Sequence, residues 1–191
     1  MNRSIWLIRH GETEWSLSGA HTGRTDIPLT DHGRCAAEAI GRRLGGQSIA
    51  LVLTSPMMRA RETCRLAGYD AKARIDPDLC EWDYGDYEGR TTTEIRSERP
   101  GWDLWTDGVP NGEAIEHVAA RAEAVLARAA AAEGDVALFA HGHVLRILTT
   151  RWLGLPPADG RLFALATASI ATLGYERDTR VLSRWNLSAS E

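Results

Sequence analysis

Two histidines stand directly before glycines at the ends of two apolar runs. Ile5-Trp6-Leu7-Ile8 passes into Arg9-His10-Gly11, and Asp135-Val136-Ala137-Leu138-Phe139-Ala140 passes into His141-Gly142-His143. A third apolar run, Leu51-Val52-Leu53-Thr54, ends in Ser55-Pro56, with Arg59 and Arg61 close behind. Gathered in one place, two histidines and up to three arginines suit a dianionic phosphate. Guanidinium forks match its oxygens two at a time, and helix N-termini add backbone N–H donors.

The elements that must do the gathering are strands of an open α/β sheet, in which ligands bind beyond the carboxyl ends of parallel strands. Apolar runs with β-branched residues, such as Ile5-Trp6-Leu7-Ile8, read as buried strands. Gly11 would let backbone approach a ligand closely. A short strand is predicted over residues 73–75. A terminal hairpin over 168–175 and 180–185 would supply one antiparallel edge strand. Helices are predicted over 30–44 with Thr30 as N-cap, over 57–67, over 91–98 ahead of Pro100, and over 144–153. The longest begins at Asn111 or Gly112 and runs to about residue 133. Its Ile115, Val118, Ala122, Val125, Leu126 and Ala129 form one apolar stripe. Strands alternating with helices argue for parallel pairing and right-handed crossovers. The polar stretch 12–29 is long for a connection and so reads as functional. Trp102, Trp105 and Asp107-Gly108-Val109-Pro110-Asn111-Gly112 read as an irregular lid.

Whole-chain properties narrow the partners. The 191 residues suit a single domain spanning 1–191, and 43% hydrophobic with 25% charged residues is ordinary for a globular protein. Lys+Arg 22 against Asp+Glu 26 gives a net charge of -4, which supplies no electrostatic reason to expect nucleic acid or an anionic membrane. Any anion site is then a local basic pocket on an acidic protein, fitted to a small phosphorylated molecule. Cys35, Cys64 and Cys80 are odd in number and widely spaced, so no disulfide framework or zinc site is expected. His141 and His143 also lack a carboxylate or cysteine spaced to complete a metal set, and no metal or cofactor is expected. No apolar stretch approaches a membrane span and no signal peptide is visible, which places the expected location in the cytoplasm.

Four ordered motifs carry a resemblance. They are Leu7-Ile8-Arg9-His10-Gly11-Glu12-Thr13-Glu14-Trp15, Thr22-Gly23-Arg24-Thr25-Asp26-Ile27-Pro28-Leu29-Thr30, Thr54-Ser55-Pro56 with Arg59-Ala60-Arg61-Glu62-Thr63, and Ala140-His141-Gly142-His143. Together they resemble the histidine phosphatase (phosphoglycerate mutase-like) superfamily. The segments 81–89 and 139–146 look like its sedoheptulose-1,7-bisphosphatase branch. The resemblance implies an α/β three-layer αβα sandwich on a mostly parallel six-stranded sheet with one antiparallel edge strand. It implies a phosphoric monoester hydrolase of histidine acid phosphatase type that needs no cofactor. Such an enzyme would act on a small phosphorylated metabolite, with inorganic phosphate as product, as a monomer or homodimer.

The resemblance also assigns roles. Phosphate monoesters hydrolyse extremely slowly unaided, so a nucleophile, charge neutralisation and an acid are all needed. His10 would be the nucleophile, forming a phosphohistidine, with one ring nitrogen held by a backbone carbonyl and its pKa lowered by neighbouring cations. Arg9, Arg59 and His141 would grip the equatorial oxygens. Among the acids of the 81–88 segment, Asp83, Asp86 and Glu88 compete with Glu81 on residue type alone; the family pattern selects Glu81. Desolvation by Trp82, Tyr84 and Tyr87 would raise its pKa and keep a proton on it. Ser16, Thr22 and Gly23 match family positions that touch phosphate or substrate, Gly142 would add an uncrowded backbone N–H, and Tyr84 could contact a sugar hydroxyl or carboxylate. Arg146 or Arg24 could take a second anionic group, and Trp82, Tyr84, Trp102 and Trp105 could enclose a sugar. His21, His32 and His117 read as surface residues.

Two other readings remain. A 2,3-bisphosphoglycerate-dependent phosphoglycerate mutase shares the phosphohistidine but returns the phosphoryl group. Against it, Ser16 and His143 stand where mutases usually carry asparagine, and no adjacent arginine pair lies between Gly89 and Asn111, only Arg90, Arg96 and Arg99. A non-catalytic phospho-ligand binding module is the other, disfavoured because no core position is lost.

Overall fold

The computed structural model describes residues 3–188. Six strands, β1 (Ile5–Arg9), β2 (Ile49–Thr54), β3 (Ala73–Ile75), β4 (Asp135–Ala140), β5 (Ser169–Glu176) and β6 (Thr179–Ser188), form one sheet in the order β3-β2-β4-β1-β5-β6. The first four are mutually parallel. β5 runs antiparallel to both β1 and β6. The expected hairpin therefore sits at the end of the sheet, with its antiparallel strand one place in and β6 outermost.

Among the described residues seven α-helices accompany the sheet: α1 (Glu14–Ser18), α2 (Asp31–Leu44), α3 (Met58–Leu66), α4 (Thr92–Glu98), α5 (Leu104–Asp107), α6 (Ile115–Ala130) and α7 (Gly142–Leu153). Side chains alternate across a strand, and here both sets are apolar. Ile5, Leu7, Val136 and Leu138 join a core with α6 and α7, while Ile8, Val52, Ala137 and Phe139 join a second with α2 and α3. A sheet apolar on both faces needs a helical layer on each. The result is the three-layer αβα arrangement. Val118, Ala122, Val125, Leu126 and Ala129 of the predicted stripe are buried; Ile115 is half-buried.

Helix starts follow their caps. The Thr30 hydroxyl accepts from Gly33 N–H to open α2, and Thr91 and Glu94 form a reciprocal capping box at α4. A similar box between Thr13 and Ser16 opens α1, a helix that the polar, glycine-bearing stretch does not announce. α6 begins later than predicted because the residues before it are bonded elsewhere. Pro110 C=O accepts from Asp86 N–H and Glu113 N–H donates to Asp83 C=O, so this backbone staples the 83–86 loop instead of starting a helix.

The two tryptophans of the expected lid are core, while residues 107–112 lie at the surface. Trp102 and Trp105 are 1% and 9% exposed, and α5 carries Trp105 inward. The Trp102 indole N–H donates to Gly108 C=O at 2.9 Å, which lets so large a ring be buried without an unpaired donor. Cys64 and Cys80 are buried and Cys35 is exposed; burial pushes the Cys64 thiol up to about 12. Among the described residues no helix is long and apolar enough to cross a membrane.

Candidate active site

Register brings the strand ends level. Arg9 pairs with Ala140, and Thr54 with Phe139, so His10, Ser55 and His141 emerge at one rim of the sheet. His10 is fixed on both sides: its N–H donates to Ala140 C=O at 3.0 Å and its C=O accepts from Ala168 N–H at 2.9 Å. In the side chain, Nδ1 donates to Gly11 C=O at 2.7 Å. A carbonyl can only accept, so the proton is on Nδ1 and Nε2 keeps a free lone pair. Burial first, then Arg59 and Arg9, hold the imidazole well below the usual histidine range.

Gly11 serves a neighbour of its own chain. A Cβ there would stand 2.5 Å from Gly33 C=O, so what approaches closely is α2 and not, as the sequence suggested, a ligand. The Gly11 N–H donates to the Thr63 hydroxyl at 3.0 Å, which in turn donates to Arg59 C=O at 2.7 Å.

Arg59 is fully buried and its guanidinium is largely committed. Nε donates to Nδ1 of His141 at 3.1 Å, Nη1 to Thr25 C=O, and Nη2 to the carbonyls of Thr22 and Gly23. Of its five N–H donors, one on Nη1 remains, so the expected two-pronged grip on an anion is replaced by a hold on the 22–25 loop. Since Nδ1 of His141 accepts, its Nε2 carries the proton and donates to Ser55 Oγ at 2.7 Å. Burial, Arg59 and His10 hold His141 well below its ordinary range, and its ring centroid lies 5.2 Å from that of His10. Arg9 differs. One of its terminal nitrogens donates to Leu165 C=O, while its buried Nε has no partner among the described residues. Gly142 keeps the space beside it open: a Cβ there would come 3.3 Å from the Arg9 Cζ.

Glu81 lies against the N-terminus of α7. Its carboxylate accepts the backbone N–H groups of His143 at 3.0 Å, Val144 at 2.8 Å and Trp82 at 3.0 Å. Desolvation raises its pKa as expected, but the hydrogen bonds it accepts from His143 and the nearness of the His143 and His141 rings outweigh it, and the pKa falls well below the ordinary value. The helix N-terminus makes that direction secure. The expectation of a resident proton is therefore corrected: three donors aimed at the charged form override burial. Arg121 of α6 fixes this segment by donating to the carbonyls of Asp78, Cys80 and Glu81 while pairing with Glu113.

The other acids of the segment serve elsewhere. Asp83 pairs with Arg24 at 3.3 Å, Asp86 accepts from Asn111, and Glu88 Oε1 accepts from Gly23 N–H at 2.8 Å and Thr25 N–H at 3.0 Å.

The predicted substrate contacts are mostly engaged within the chain. The Ser16 hydroxyl serves the α1 cap, the Thr22 hydroxyl donates to Ala20 C=O, and the Tyr84 hydroxyl lies 2.6 Å from Nδ1 of His143. Arg146 stacks 4.6 Å over Trp105 and donates to the carbonyls of Gly160 and Arg161, so it clips the 157–162 turn in place. Arg61 is exposed. Trp82, Tyr84, Trp102 and Trp105 are buried in the α6/α7 core rather than lining an open sugar pocket. Their total apolar area explains this, since burial of such rings dominates local energetics. His32 and His117 are exposed, but His21 is buried. Its ring packs against Tyr84 and Trp102, and burial lowers its pKa to about 4. Ser55, Thr63 and His143 also stand closer to the centre than their residue types suggested. The i, i+4 spacing of Arg59 and Thr63 and the placement of Ser55 at a strand end were the signals available.

Comparison with known proteins places this geometry in a lineage. The chain is 44% identical over 186 residues to an acid phosphatase of Mycobacterium tuberculosis, covering 95% of this chain and 91% of that protein. It is 40% identical over 182 residues to sedoheptulose 1,7-bisphosphatase of Saccharomyces cerevisiae, covering 78% and 67%. A solved structure of a Mycobacterium tuberculosis open reading frame superposes with a TM-score of 0.93 at 42% identity, over 99% of this chain and 100% of that one. The family model of the histidine phosphatase superfamily (branch 1) matches residues 5–188, and the chain belongs to that superfamily.

Proposed function

We propose that this phosphoric monoester hydrolase, acting as a single domain, cleaves a small sugar phosphate or bisphosphate through a phosphohistidine on His10 and without a metal. One observation carries the reading: Nε2 of His10 has its lone pair free because Nδ1 is held by Gly11 C=O, beside a buried Arg9 Nε that has no partner among the described residues. Nε2 attacks phosphorus. The transferring group's oxygens take the Arg9 Nε–H, the remaining Nη1–H of Arg59, the His141 N–H now on Ser55, and the first N–H of α7 at Gly142, where charge develops in the transition state. The incoming dianion raises the proton affinity of Glu81, which protonates the leaving oxygen and afterwards takes a proton from the attacking water. Sugar as the organic part rests on similarity to the yeast bisphosphatase.

The test is phosphate release, without added metal, from sugar bisphosphates, sugar monophosphates and 3-phosphoglycerate, with His10→Ala as the blank. Release from one sugar ester and none from the variant is expected. A variant that keeps a substantial fraction of the rate refutes the mechanism. Isomerisation of 3-phosphoglycerate on adding 2,3-bisphosphoglycerate, with little release, would instead indicate a mutase.

A further inference from the structure

Glu81 has a titratable neighbour that the phosphate-gripping residues do not account for. Its Oε2 accepts the His143 backbone N–H and lies 3.8 Å from Nδ1 of the same residue's ring. That Nδ1 is 2.6 Å from the Tyr84 hydroxyl. The rings of Trp82, Tyr84, Trp105 and His21 surround the imidazole, with centroids 6.3, 5.8, 5.3 and 6.4 Å away. The Glu81 side chain is buried while that of His143 is 22% exposed, and the groups that face the pair come from several elements. They are Tyr84 from the 81–84 segment, His21 from the loop after α1, Arg9 and His10 at the end of β1, Arg59 of α3, Arg121 of α6, His141 at the start of α7, and Arg146 one turn along that helix.

The free protein holds Glu81 as a carboxylate, so a proton for the leaving oxygen has to be acquired when the substrate binds. Resting on the phosphatase reading above, we propose that His143 is a positioning residue sharing one proton with Glu81, so that entry of a tetrahedral dianion draws a single proton onto the pair for delivery to the leaving oxygen. Two ionisable groups this close titrate as a unit. Burial lowers the His143 pKa more than Glu81 raises it, so the ring is neutral in the free protein and gains its hold on the shared proton when a dianion adds negative charge beside the pair. Tyr84 stays protonated, its pKa pushed well above the usual range by burial and by Glu81, and its hydroxyl fixes where Nδ1 points.

The proton count closes. One proton enters from solvent with the dianion. As the P–N bond forms at His10 and the ester P–O bond breaks, that proton goes from Glu81 to the leaving oxygen with the bonding pair. Water then attacks phosphorus and its oxygen stays on phosphate. The P–N bond breaks with its electrons returning to Nε2, and the water's proton returns to the pair.

Sulfate is a suitable probe because it is a tetrahedral dianion that exchanges no proton near neutrality. Its inhibition constant against p-nitrophenyl phosphate is measured from about pH 5 to about pH 8, where unperturbed histidine titrates. One linked proton weakens wild-type sulfate inhibition about tenfold per pH unit above the midpoint of the pair. His10, His141 and His21, all held below the ordinary histidine range, stay neutral over most of that range. His143→Asn and His143→Gln are both expected to lose the slope or move its midpoint by at least about one pH unit, and Glu81→Gln to lose it. Sulfate protection against thermal unfolding gives the same profile for any variant too slow to assay. A wild-type profile without slope, or His143 variants that keep both slope and midpoint, overturns the proposal. The latter result would put the proton on Glu81 alone and leave the phosphatase mechanism standing, since that mechanism is judged by His10→Ala.

Discussion

Thr63→Val isolates one hydrogen bond under the nucleophile. Thr63 is fully buried, and valine matches its shape. The hydroxyl accepts from Gly11 N–H and donates to Arg59 C=O. Arg59 and Thr63 are both within α3, where the Thr63 N–H continues to serve that carbonyl at i−4. Only the buried Gly11 N–H is orphaned. Leaving one buried donor unsatisfied costs about 1–3 kcal/mol, which for a chain of this size lowers the melting temperature by about 2–12 °C. Gly11 also supplies the carbonyl that holds His10 in its reactive tautomer, so turnover should fall along with stability. Urea unfolding and p-nitrophenyl phosphate hydrolysis measure both, and Thr63→Ser, which keeps the hydroxyl, should restore them. If the valine variant unfolds and turns over like wild type, Thr63 does not support the His10 turn and the reasoning is refuted.

Other outcomes follow from the same geometry. Glu81→Gln should slow alkyl phosphates by about 100-fold or more while affecting activated aryl phosphates far less, because only the former need a proton; equal losses would remove Glu81 from the acid role. Gly33→Ala places a Cβ 2.3 Å from Glu12 C=O, an overpacking that costs about 1–3 kcal/mol and is read by thermal melting, where an unshifted transition would show that α2 can move away. His21 titrates near 6.5 when unfolded and at about 4 when folded, so below 6.5 the unfolded chain binds a proton that the folded chain does not. Stability accordingly falls as pH drops from 6.5 toward 4, by about 2–4 kcal/mol for this residue alone. Its replacement in His21→Phe should narrow the gap between melting temperatures at pH 7 and pH 5, and an unchanged gap would contradict the assignment.

Periodicity and caps made most of the fold readable. Thr30 and the spacing of Ile40 and Leu44 announce α2, and the fully apolar strands announce a sheet covered on both faces. Arg9, His10 and His141 could be brought to one rim because each ends or follows a parallel strand. What stayed hidden depends on partners far away in the chain. α6 starts late because residues 110–113 bond to the 83–86 loop. Trp102 of the expected lid and Trp82 of the acidic segment can be buried because Gly108 and Glu113 supply carbonyls for their indole N–H groups. Glu81 loses its expected proton to N–H groups of a helix that begins 61 residues later at Gly142. Residue type suggested an acid in an apolar setting, and only the third dimension supplies the donors that reverse its charge state.

The pairing of the two central arginines has a consequence for the lifetime of the protein. Arg59 is bonded to three carbonyls and a neutral imidazole, and Arg9 to a fourth carbonyl; among the described residues no carboxylate is bonded to either. Burial of these guanidinium charges outweighs the attraction of Glu81, the carboxylate that acts on both, and so weighs against the folded state. An anion that binds the native site and not the unfolded chain offsets this by mass action. Substrate and product therefore act as folding ligands, and the fraction of molecules that open to proteases depends on how full the metabolite pool is. Such a chain would persist while its substrate is abundant and be cleared as the substrate is exhausted, tying abundance to supply without any dedicated regulator.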